Sequence, residues 1–64
     1  MNTIWQEYCD GVIEGRAIFK REGMENARER LDTLNRLCKQ FDAANPVGQL
    51  FRGERDFWKH KLRA

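Results

Sequence analysis

Met24, Ala27, Leu31, Leu34, Cys38 and Phe41 recur at steps of three and four without a break. Steps alternating in this way lay one apolar stripe along an α-helix, whereas a half-buried strand would need a step of two. The spacing predicts a helix over about 24–44 with a heptad-like seam. Asn45-Pro46 ends it, because proline disfavours a helical backbone in the residue before it and has no amide to donate.

A second stripe precedes this one. Ile4, Trp5, Tyr8, Val12 and Phe19 fall at helical spacing, with Gly15 on the same line. Thr3 and Gln6 fit a capping box at the start. Lys20 and Arg21 suit the last turn, and Gly23 supplies a residue able to take a left-handed backbone. The predicted helix covers about 4–22. A third segment, about 46–62, takes Asn45 as cap and Pro46 as first helical residue. It aligns Leu50, Phe51, Phe57, Trp58 and Leu62 on one face, with Gly53 as a candidate kink.

The first two stripes match in register. If the chain folds back near Gly23, Trp5 meets Phe41, Tyr8 meets Cys38, Val12 meets Leu34, Gly15 meets Leu31, and Phe19 meets Ala27. Three of these pairs set a large residue against a small one, as facing layers do at native packing density. The expected fold is all-α: an antiparallel, coiled-coil-like helical hairpin plus a shorter C-terminal helix, in one domain spanning 1–64. One flank of the seam, holding Cys9, Arg16, Arg28, Asn35 and Asp42, is mostly polar. The other, Ile4, Gly11, Ile18, Leu37 and Ala44, is an apolar strip that two helices cannot cover. Either the third segment folds onto it or another chain does, and the expectation is self-association into a helical bundle. Size argues the same way, since a domain this short buries only about 60% of its unfolded surface.

Gly11 and Gly15 form a G-x-x-x-G spacing in a helix interior, where each costs about 1 kcal/mol relative to alanine. Two readings stand: close approach of another helix along that face, or Gly15 making room for Leu31 with Gly11 merely tolerated. Cys9, Cys38 and His60 lack the spacing of a zinc site, and two cysteines make no secreted-type disulfide framework, so reduced thiols are expected.

Composition excludes several classes. With 41% hydrophobic and 34% charged residues the chain is too apolar for a disordered tail. It contains no serine, no phosphate-binding glycine loop and no partner to orient His60 as a base, so neither catalysis, a cofactor nor a small-molecule substrate is expected. No run approaches the roughly 18–20 apolar residues of a membrane span, and no leader pattern is evident, which makes cytoplasm the expected compartment.

Charge is uneven. Residues 1–23, 24–45 and 46–64 carry −1, 0 and +3, making the net +2. The last third mixes cations with aromatics: Arg52, Arg55, Phe57, Trp58, Lys59, Lys61 and Arg63. Those residues could meet phosphates and bases or a protein pocket; the plainer reading docks the aromatics on the apolar strip and leaves the cations in water. A helix-turn-helix is disfavoured because its helices are short and cross steeply. The expected function is a non-catalytic helical interaction module, acting on itself or as an adaptor or inhibitor of another protein. A nucleic-acid-associated regulator is the alternative. The general character is that of a small bacterial or phage accessory protein, a likeness of style that assigns no residue a role.

Overall fold

The computed structural model describes residues 3–63, and it is all-helical: α1 is Thr3–Glu22, α2 is Ala27–Gln40 and α3 is Pro46–Arg63. Local chemistry sets each boundary. Gly23 adopts φ 72° and its amide donates to the Phe19 carbonyl at 2.8 Å, the left-handed cap that stops α1. At the other end α1 begins at Thr3, and the Gln6 side-chain amide donates to Asp10 at 3.0 Å.

α2 is shorter at both ends than its apolar stripe. The turn after Gly23 takes up residues 23–26, and helix begins only at Ala27, leaving Met24 exposed. At the far end Phe41 is extended (φ −115°, ψ 130°). Asp42 then closes a local turn by accepting from the Ala44 amide at 3.2 Å. Asn45 caps α3 as expected, accepting the Val47 amide at 2.9 Å ahead of a proline-led first turn.

The arrangement of these helices corrects the expected hairpin. α3 packs on both α1 and α2, while no residue of α1 lies within 8 Å, Cα to Cα, of one in α2. Contacts advance together along α1 and α3, from Tyr8 at Gly53, through Gly15 at Phe57, to Phe19 at Phe57 and Trp58. The two therefore run in the same direction. Against α2 the order reverses, with Phe41 on Phe51 and Arg30 on Glu54, so α2 runs opposite to α3. The third segment is the central helix, not an appendage.

Glycine makes the α1–α3 contact. A Cβ on Gly11 would overlap the Leu50 carbonyl oxygen and stand 2.9 Å from the Glu54 nitrogen; one on Gly53 would overlap the Tyr8 carbonyl oxygen. Backbone thus meets backbone at two reciprocal points, and α3 runs through Gly53 without a break in the helix. Gly15 makes room for Phe57, whose Cδ2 is 2.7 Å from where its Cβ would be, and not for Leu31. The core comprises Ile18, Ala27, Leu31, Leu34 and Trp58, flanked by Phe19, Leu37, Phe51, Phe57 and Leu62. The seam of α2 is buried as its spacing requires, but α3 covers it.

Candidate functional site

α1 and α2 both lie on α3 with their backbones apart, and a groove of about 430 Å³ runs between them. Its accessible apolar surface comes from the half-buried Leu37 and Phe51, over the buried Ile18, Leu34 and Trp58, and the Gly23–Asn26 connection closes one end. Glu22, Glu29, Arg30 and Thr33 form the polar rim.

The floor carries a polar cluster. Glu54 is 6% exposed, accepts the Trp58 indole N–H at 3.1 Å and is bound by Arg30 Nε. A carboxylate this buried requires partners, and here an indole from its own helix and a guanidinium from α2 provide them. Trp58, 1% exposed, is thereby fixed in orientation as well as packed.

The residues expected to meet a partner are distributed as follows. In the apolar strip, Gly11 and Ile18 are buried, Ile4 and Leu37 half-buried, and Ala44 exposed in the turn before α3. Gly11 is closed by α3 itself and Leu37 lines the groove. In the basic segment, Arg52 turns inward and donates to the carbonyls of Cys38, Phe41 and Gly48 at 3.2–3.3 Å, satisfying the C-terminal end of α2. Arg55 forks onto Asp56 at 3.0 and 3.1 Å. Lys61 lays its ammonium 4.6 Å from the Phe19 ring centre, next to Phe57. Trp58 is core, whereas Lys59, His60 and Arg63 are exposed.

Asp56 also accepts the Tyr8 hydroxyl at 2.6 Å, tying α1 to α3. That hydrogen bond, with burial and the negative charge of Asp56, pushes the phenol up to about 12. Cys9 and Cys38 are both free thiols, and among the described residues no three His, Cys, Asp or Glu side chains gather as a metal site would require.

Sequence reasoning passed over Glu54 and Arg30. The available signal was an acid at position 54 between Phe51 and Trp58, on the apolar face of its own helix. It also treated Gly53 as a weakness, although Gly11 offered its counterpart.

The course of the chain sorts charge. Residues 16–30 and 57–63 share one end and hold eight basic and three acidic side chains; residues 3–15 and 31–56 hold four and seven. The two ends carry +5 and −3, consistent with the net +2. No helix of the described residues is long and apolar enough to cross a membrane. Comparison with protein-family models, curated proteins and solved structures returns no match for this chain.

Proposed function

We propose that this chain is a non-catalytic helical protein–protein interaction module, an adaptor or inhibitor whose groove between α1 and α2 seats an amphipathic helix of another protein. The groove itself is the observation that carries this reading. Three helices present a trough with a polar rim, and a fourth helix laid along it would meet Leu37 and Phe51, the half-buried apolar residues of its lining, as in helix-in-groove recognition. Arg30 stands where it can exchange some of its contact with Glu54 for a polar group on the incoming helix.

A photo-cross-linking side chain at Thr33, on the rim, tests this against the same group at His60, which lies outside the groove. Cross-links to a polypeptide in host lysate are expected from position 33 and not from 60. Equal or stronger capture from 60 would contradict the groove.

The alternative, a nucleic-acid-associated regulator, draws on the +5 end, where Lys20, Arg21, Arg28, Lys59 and Arg63 gather. It requires duplex affinity that falls steeply with salt. The interaction module requires little duplex binding at any salt.

A further inference from the structure

We propose that the protein pairs with a second copy of itself through the outer face of α1, the two α1 helices lying antiparallel across a dyad between Val12 and Ile13. This surface is separate from the groove, and its test does not depend on what the groove binds.

The side of α1 turned away from α3 carries one line of residues at steps of four, four, three and four: Trp5, Cys9, Ile13, Arg16 and Lys20, with Val12 at its edge. Trp5 and Ile13 are the two most exposed large hydrophobic residues in the described chain, at 63% and 60%. Neither serves the core, and in a domain with so little apolar surface to spare their alignment is informative.

An antiparallel pairing in which residue numbers sum to 25 sets Trp5 against Lys20, Cys9 against Arg16, and Val12 against Ile13, each contact occurring twice as an isologous interface requires. In an antiparallel pair Val12 and Ile13 of both copies form an apolar centre. The second copy's Lys20 reaches the Trp5 indole, which stacks on Tyr8 at 5.7 Å. Arg16 lies one step from Asp10 of the second copy.

Charge selects the antiparallel direction. Residues 3–15 of α1 hold Glu7, Asp10 and Glu14 with no cation, whereas residues 16–22 hold Arg16, Lys20 and Arg21 with Glu22. A parallel pair would set Arg16 and Lys20 beside their own copies, whereas the antiparallel pair brings Arg16 to Asp10 and places the acidic half of each helix alongside the basic half of the other. The −3 end of each molecule then lies beside the +5 end of the other. A dimer of this kind carries two grooves on one rigid unit.

Sedimentation equilibrium over a concentration series, with helix content followed by circular dichroism, tests the pairing. Wild type is expected to show a reversible monomer–dimer equilibrium. Ile13→Glu should weaken it at least tenfold with helicity unchanged, because position 13 is exposed in the monomer. Asp10→Arg and Arg16→Asp should each weaken it at least tenfold alone, and an equimolar mixture of the two should recover wild-type association, since each then meets its opposite across the dyad. A wild type that stays monomeric at its solubility limit would overturn the proposal. So would an Ile13→Glu variant that dimerises as wild type, or a mixture no tighter than its components. Loss of the dimer on Leu37→Glu but not on Ile13→Glu would assign association to the groove instead, and would equally overturn it.

Discussion

Replacing Gly53 by alanine sets two effects of opposite sign against each other. Alanine is the better helix former by about 1 kcal/mol, so in an open helix the substitution would stabilise. Here the added methyl overlaps the Tyr8 carbonyl oxygen and lies 2.9 Å from the Tyr8 carbonyl carbon and 3.2 Å from the Val12 nitrogen. These are backbone atoms of a hydrogen-bonded helix and cannot rotate aside. Normal contact at roughly 3.5 Å requires α1 and α3 to separate by on the order of 1 Å. That separation also loosens the Gly11 and Gly15 contacts, because all three lie on one interface. Overpacking typically costs about 1–3 kcal/mol, and backbone against backbone belongs at or above the upper end. The net expectation is destabilisation by about 1–3 kcal/mol, read by urea denaturation and as a fall in Tm of at least about 5 °C for a domain of this size. Ala17→Gly, at an exposed position in α1, calibrates the propensity effect alone in the same host. If Gly53→Ala melts higher than wild type, the backbone contact between α1 and α3 does not exist.

Tyr8 is the only tyrosine in the chain, so its ionisation can be followed directly in the ultraviolet. Its pKa should lie near 12 rather than 10, and Asp56→Asn, which removes the anion accepting its proton, should bring it back toward 10. Because the folded value is the higher one, the stabilisation is complete below pH 10 and is lost as pH rises through 12; an unshifted midpoint in wild type would break the Tyr8–Asp56 link. Arg52→Ala should cost about 1–2 kcal/mol by exposing the last carbonyls of α2, and Arg52→Lys should recover only part, since one ammonium cannot span what two guanidinium nitrogens reach. Stability unchanged by Arg52→Ala, together with weakened duplex binding, would make Arg52 a phosphate contact.

The sequence revealed the helices more clearly than their neighbours, and the reason is physical. Caps and breakers act within a few residues, so Gly23 and Asn45-Pro46 could be placed from local chemistry alone. An apolar stripe states only that something covers a face. Any two heptad-like stripes of similar length can be slid into register, and the match of Gly15 with Leu31 was of this kind. Both positions are buried, yet Gly15 faces Phe57. The ends of α2 were overestimated because the stripe runs on beyond the hydrogen bonding. Met24 falls in the Gly23 turn, and Phe41 leaves the helix where Arg52 arrives from α3. The basic segment reads as cations at the chain end, but composition cannot distinguish an arginine in water from one serving another helix's carbonyls.

Covering the face of α2 and the glycine face of α1 from one central helix has a consequence for binding. A glycine pair admits α3 close to α1 on one side, while Trp5 and Ile13 on the outer wall of α1 stay 63% and 60% exposed. On the opposite side α2 packs on α3, and the trough between α1 and α2 lies over the buried Glu54 and Trp58. Burying that carboxylate serves stability poorly, since well-packed apolar residues of similar volume are often at least as stable as a buried ion pair. Under the proposed function, a polar group held in fixed orientation beneath the groove would discriminate among helices laid over it. An occupant that leaves Arg30 and Glu54 joined keeps their hydrogen bonds, and one that separates them without replacing those bonds meets an unpaired charge. For the proposed helix partner, the polar cluster would supply selectivity that the surrounding leucines and phenylalanine cannot.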